Sequence, residues 1–515
     1  MFNKNNGQMN AIDKTIFEQL IPKDHLLVKI NEVFDFDFLY EKLKSKYSDI
    51  GRHSKDPVMM FKILLLEFIY NLSDVQIAQR VQTDIAFRWF LKLSINDSGP
   101  DDTTISYFRT RRIGDEDFEL LFTSIVKQCI EKDIVKTRRY QVDSTNVDAN
   151  VNYPSDKKLL RQAVEKVAKE IRKFNPNLAE QWMQDFESEI DKFYEQQERV
   201  HPTAHYETAK QMLESLYCKT YDELQGNSKY IDAYTVCYEL VDRYLFNKKD
   251  KIISVVDPEA RVAYKTTRKT KTGYKNHIII DKDSEIILGS VQTPFNVGDQ
   301  KELLPLVEQV EKNYHLKPKE VSADKVYGTT KNRADLKDKD IISNINFYAE
   351  TEGEADGRYT THDFLVSEDI MSMTCPNGIV TNRFRDVTIK SDEDSYPYRD
   401  FKFDKRYCDN CPHRDKCLNK RKDKFVERGK RIRISSRYDA IARDKARAKT
   451  NEFNDALNLR FKIERRFATQ VNHRGARRTR YIGLAKTKNQ INLVNTVTNI
   501  IRAIHIIESL NIGTA

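Results

Sequence analysis

The chain has 515 residues, 39% of them hydrophobic, 10% aromatic and 32% charged. That length supports two to four domain-sized units, and the aromatic content argues against a disordered chain. The 87 Lys and Arg against 78 Asp and Glu leave +9, a total that names no partner on its own.

Taken in chain order, residues 1–50 read as an N-terminal extension without the apolar core of a signal peptide. Residues 51–137 read as a helical domain. Pro57 opens PVMMFKILLLEFIYNL, a run broken by Lys62 and Glu67 and too short to span a bilayer. Ser73 caps DVQIAQRVQ, and IAFRWFLKL follows, a pair that is helix-turn-helix-like or, equally, part of a structural helical bundle. PDDTTISYFRTRR then carries Arg109, Arg111 and Arg112 on a face that can lie along phosphates.

RRYQVDSTNV has the β-branched composition of a buried strand. Residues 155–246 form a helical insertion, with apolar spacing at Leu160, Val164, Val167, Ile171 and Phe174, divided by Pro176 and Pro202. Strands resume at 251: KIISVV with RVAYKTT, then GYKNHIII with EIILGSV. The helix DQKELLPLVEQVEK, the strand KEVSAD and the strand DIISNINF follow. NEFNDALNLRFKIERRFATQ is helical, and the apolar helix Ile491 to Leu510 either seals the core, the preferred reading, or supplies a dimer contact. The expected architecture is α/β of the α+β kind. Segments 138–154, 247–345 and 425–515 build one core, interrupted by the insertions 155–246 and 346–424.

Charge is concentrated within that order. Residues 416–486 carry net +16, so the rest of the chain nets −7, which points to a polyanion or, more blandly, to a solvated helical face. Metal-assisted phosphodiester cleavage needs carboxylates that hold two Mg²⁺ ions about 4 Å apart. Asp143 in QVDST and Asp324 in VSADK each follow a strand-like run. Arg460 and Glu464 are four apart on one helical face, and Glu464 is the sole acidic residue in 460–486. Either it faces a phosphate track as a metal ligand or it is an ion-pair hub.

Seven cysteines, an odd count, favour a reducing cytoplasm. Cys375, Cys408, Cys411 and Cys417 can form a tetrahedral zinc site, with His413 as a substitute ligand. That site would fold an insertion too small and polar for a core of its own. Cys129, Cys218 and Cys237 read as packing residues, and His277 as a core or site-lining residue. With 16 glycines and no Gly-rich phosphate loop, ATP chemistry is not expected.

PVMMFKILLLEFIYNLSDVQIAQRVQ, PDDTTISYFR, VDST, SADKVYG and RFKIERRF together resemble the DDE transposases of bacterial insertion sequences, over residues 50 to 505. The group resembled has an RNase H-like catalytic domain and a Y-x2-R-x3-E-x6-K signature. Here Leu457 and Val471 stand at the tyrosine and lysine positions. The resemblance implies that Asp143, Asp324 and Glu464 are catalytic and hold two Mg²⁺, with Mn²⁺ as an alternative. Water would cut at the transposon end, and the freed 3′-OH would attack target DNA without a covalent protein intermediate. It implies DNA contacts from Arg460, Arg465, Arg466, His473, Arg474, Arg477, Arg478 and Arg480. It also implies double-stranded DNA partners (terminal inverted repeats and target), a homodimer on DNA, and a cytoplasmic, nucleoid-associated location in a bacterium. Two rivals remain on this reading: a catalytically silent DNA-binding derivative, and a structure-specific nuclease on the same fold.

Overall fold

The computed structural model describes residues 9–47, 54–152, 154–195, 203–266, 269–348, 358–388, 397–417 and 429–512. Lys420, Arg421, Lys422, Lys424 and Arg428 of the basic stretch lie outside these ranges.

A mixed sheet organises the largest core. Its strands are β1 (Arg139–Asp148), β2 (Arg261–Thr266), β3 (Lys269–Asp281), β4 (Ile287–Pro294), β5 (Glu320–Ala323) and β6 (Ile342–Ile345). β1 is central: it pairs antiparallel with β3 on one side and parallel with β5 on the other. β3 pairs onward with β4 and β2, both antiparallel, and β5 onward with β6 in parallel. Runs such as Ile278–Ile280 and Ile286–Leu288 are fully buried, as strands covered on both faces require. The sequence pattern is therefore continuous rather than alternating.

Helices close this core from the N-terminal side and from the end of the chain. In Pro57–Ile69 every residue is buried; Pro57 sits in the first turn, and Asp56 caps it by accepting from the Met59 N–H at 2.8 Å. Helix Asp74–Thr83 begins with a capping box in which the Gln76 N–H donates to the Ser73 hydroxyl at 3.3 Å and Gln76 reaches back. The next helix, Ile85–Phe90, has six residues, with Ala86, Phe87, Arg88 and Phe90 buried. As a recognition helix it would have little left to present to a DNA groove. Residues read as an extension, among them Phe17, Leu27, Ile30 and Leu39, are buried in the same core. The 29-residue helix Leu484–Ile512 packs on Asp115–Glu131 and on β4, joining the helical layer to the sheet.

Two further cores belong to the insertions. Helices Asp156–Ile171, Pro176–Glu195, Ala204–Leu224 and Ser228–Leu245 share one, to which Ile252 and Val255 also contribute. The segment 251–256, expected as a strand, forms none and serves instead as part of the floor of that bundle. The cysteine-bearing insertion has an apolar core of its own, built from Phe364, Ile370, Met373, Phe401, Phe403, Ile432 and Ile434. The strand Arg431–Ser435 completes its sheet by pairing with Tyr398–Lys402, so this module extends past residue 424.

Candidate active site

Sheet register brings the two aspartates together. On the parallel pair, Val142 lies beside Ala323, so the next residues stand side by side, Asp143 in the middle of β1 and Asp324 just past the end of β5. Local N–H donors orient each carboxylate: the Ser144 N–H donates to Asp143 at 2.8 Å and the Lys325 N–H to Asp324 at 2.8 Å. The Arg460 guanidinium lies between them, 3.3 Å from the Asp143 Oδ2 and 3.4 Å from the Asp324 Oδ1. Gln141, two residues before Asp143, donates to the Leu459 carbonyl at 3.0 Å and so fixes the backbone next to Arg460.

Burial pushes the Asp143 carboxyl above its ordinary value; Asp324 and Asp299 push the same way, while the Ser144 N–H and Arg460 oppose it. Glu464 follows Arg460 by one turn, in the first turn of helix Phe461–His473, and is exposed. Among the described residues, no group of three or more His, Cys, Asp and Glu side chains is arranged to hold a metal ion. Asp143 and Asp324 are thus brought together, and Arg460 occupies the place of a shared cation.

A further carboxylate, Asp299, lies on the other side of Ser144. It accepts from the Ser144 hydroxyl at 3.0 Å and from the Lys275 ammonium at 2.6 Å. Sequence reasoning passed over both residues, because GDQKEL reads as an ordinary helix start and Lys275 as one of many strand lysines. His277 is fully buried, with its Nε2 2.9 Å from the Thr293 hydroxyl, and burial lowers its pKa to about 4.

The basic residues divide by environment. Arg109 is buried and paired at 2.8 Å with both Glu67 and Asp74, which corrects its placement on a phosphate-facing surface. Arg465 and Arg466 pair with the buried Glu285, Arg466 at 3.0 Å. Arg474 donates to the Ile69 carbonyl, and Arg480 to the Leu72 carbonyl at 2.7 Å. Arg111, Arg112, His473, Arg477 and Arg478 are exposed, with Arg112 over the rings of Tyr47 and Tyr107. Backbone bonds join the Arg477–Thr479 segment to the end of β1: the Asp148 N–H donates to the Arg477 carbonyl at 2.8 Å, and the Thr479 N–H to Asp148 at 2.9 Å.

Cys375, Cys408, Cys411 and Cys417 line one cavity of about 30 Å³, together with Arg414 and Lys430. Burial raises the thiol pKa of Cys408, and that of Cys417 to about 11; the neighbouring thiols add to both shifts. His413 is engaged by the Tyr359 hydroxyl at 3.0 Å and is not among the residues that line the cavity. Cys129 and Cys237 are buried, whereas Cys218, expected to pack, is exposed.

Fold and site thus define a mixed α/β protein with two aspartates side by side on neighbouring parallel strands and a set of exposed arginines. Residues 15–111 match a transposase domain (DUF772), and residues 374–504 match a transposase DDE domain. The two matched segments together support an insertion-sequence DDE transposase, a DNA-cleaving and strand-transferring enzyme. The first match takes in the helices before residue 50; the second takes in the cysteines, Arg460 and Glu464. Asp143 and Asp324 lie between the two matched segments. Comparison with curated proteins and with solved structures gave no match.

Proposed function

We propose that Asp143, Asp324 and Glu464 are the catalytic carboxylates of this transposase, on an RNase H-like core, and that they hold divalent Mg²⁺, with Mn²⁺ able to substitute. The observation that carries the reading is the guanidinium between Asp143 and Asp324, a cationic group where two adjacent carboxylates call for one. Hard oxygen donors suit these metals. Bound there, the ions would activate the attacking oxygen and stabilise the leaving oxygen of a phosphodiester. Central β1, flanked by parallel β5 and antiparallel β3, supports the RNase H-like assignment.

The chain's own residues then have separate tasks. Asp143 and Asp324 are pre-oriented by backbone donors, so little reorganisation is needed when a cation arrives. Arg460 offsets part of the pair's charge in its absence and can turn to a phosphate when the carboxylates are otherwise engaged. Glu464, on the same helical face, completes the oxygen set. Arg477 and Arg478, held near the end of β1, would grip the DNA backbone about 17 Å along the strand from Asp143. Arg111, Arg112 and His473 are further exposed candidates for the same surface.

The substrates on this reading are the element's terminal inverted repeats and a target duplex. Two protomers would each hold one end, in the nucleoid of a bacterial cytoplasm. No described helix is long and apolar enough to cross a membrane. Zinc at Cys375, Cys408, Cys411 and Cys417 would staple a module whose apolar core is small. The test is purified protein with Mg²⁺ and labelled end DNA. Cleavage with end joining supports this reading; cleavage alone indicates a nuclease; binding alone indicates a silent DNA-binding protein.

A further inference from the structure

Helix Phe461–His473 carries Glu464 and begins just after Arg460, so whatever sets its height over the sheet sets the carboxylate geometry. One anchor is polar and distant: Gln470 donates to Asn495 at 2.6 Å, and Asn495 to the Ser290 hydroxyl at 2.9 Å. The charged anchor is Glu285, in the turn between β3 and β4. It is 1% exposed and sits in the left-handed region at φ 64°, which disfavours side-chain-bearing residues. The turn is closed by the Glu285 N–H, which donates to the Asp281 carbonyl at 2.8 Å.

Three guanidiniums converge on this one carboxylate. Arg465 and Arg466 come from the Glu464 helix, Arg466 at 3.0 Å; Arg502, at 3.3 Å, comes from helix Leu484–Ile512. Arg502 also donates to the Ser284 carbonyl at 2.8 Å, fastening the same turn. Lys462 adds a bond to the Lys282 carbonyl at 2.9 Å. The balance is one negative charge to three positive ones. Removing the carboxylate would therefore leave three cations repelling one another, with Arg466 largely buried and unpaired, which is worse than loss of a single contact.

We propose that Glu285 is the positioning residue of the carboxylate site: it holds the Arg460–Glu464 turn at the height where Glu464 joins Asp143 and Asp324. This rests on the assignment of those three carboxylates made above. It also gives Arg465 and Arg466 a task other than contact with DNA.

The test compares Glu285→Ala and Glu285→Gln with wild type, as full-length protein. Binding of Ca²⁺ by calorimetry in the presence of end DNA should weaken about tenfold in Glu285→Ala, the effect typical of outer-shell supports. Hydrogen exchange across residues 461–473 should quicken, the nicking rate should fall, and end-DNA affinity should hold. Glu285→Gln, which keeps an acceptor of the same shape, should be intermediate, and it decides the matter if the alanine variant does not fold. Wild-type Ca²⁺ affinity and exchange in both variants would overturn the proposal. So would loss of end binding in step with loss of nicking, which marks a general structural defect. Asp143→Asn separates the two layers. If it still nicks, the site assignment itself has failed; if it is inactive while the Glu285 variants behave as wild type, only the role of Glu285 has failed.

Discussion

Arg465 and Arg466 differ instructively from Arg477 and Arg478. All four lie in a segment with a single acidic residue, and by composition they are interchangeable. In the folded chain the first two are drawn onto Glu285, and the second two face solvent beside the end of β1. Arg109 and Arg111 repeat the contrast two residues apart, one buried on Glu67 and Asp74 and the other exposed. Local charge density reports that a polyanion surface is affordable there. Which arginines form that surface depends on the carboxylates that tertiary structure brings under them.

The largest expected effect lies at the carboxylates. Asp143→Asn should lower end cleavage at least about a hundredfold, since a metal-assisted step loses a ligand. End binding in a gel-shift assay should be retained, because no basic residue is altered. Arg109→Ala should come next, costing about 3–5 kcal/mol in chemical denaturation through two stranded carboxylates, one of them deeply buried. A loss confined to DNA affinity would return Arg109 to the surface set.

The same cluster carries a pH signature. Hydrogen bonds and charge from Arg109 outweigh burial and lower the Asp74 pKa to about 2, whereas burial holds that of Glu67 well above its usual range. A depressed carboxylate contributes stability that is fully present above about pH 4 and is lost as pH falls toward 2. Asp74→Asn should therefore be less stable at neutral pH and should flatten the acid limb of the melting curve. An unchanged acid limb would show that another group governs it.

Smaller effects sharpen the two remaining contrasts. On the zinc site proposed at the four cysteines, Cys411→Ser should abolish zinc in metal analysis and should lower the melting temperature of the cysteine-bearing module. Full zinc content in that variant would remove the thiol from the site. Replacing Arg477 and Arg478 together by alanine should reduce the slope of log affinity against log salt by about 2 and leave stability within about 0.5 kcal/mol. An unchanged salt slope would place the DNA elsewhere.

Much of the fold was legible because it depends on local patterns. The capping box at Ser73, Pro57 in the first turn of its helix, and the apolar runs Ile278–Ile280 of β3 and Ile286–Leu288 at the start of β4 each announce an element. The failures share a cause. Segment 251–256 has strand composition but packs Ile252 and Val255 under a helical bundle, so tertiary burial overrode β propensity. The Arg431–Ser435 strand is part of the cysteine module because its partner, Tyr398–Lys402, lies across a gap of about thirty residues that carries no pairing signal. At the site, the long stretch between Asp143 and Asp324 conceals their adjacency on neighbouring parallel strands; the resemblance named both residues, but neither it nor their spacing gave the register. Asp299, Lys275 and Glu285 left no mark in the sequence. Their significance lies wholly in what the sheet and the last two long helices bring next to them.

The most direct measurement of the central claim is anomalous diffraction from crystals of the protein with end DNA and Mn²⁺. A metal peak is expected about 2.1 Å from carboxylate oxygens of both Asp143 and Asp324, with Glu464 turned toward it and Arg460 displaced onto a phosphate. Metal bound elsewhere, with the Arg460 guanidinium still seated between the two aspartates, would contradict it.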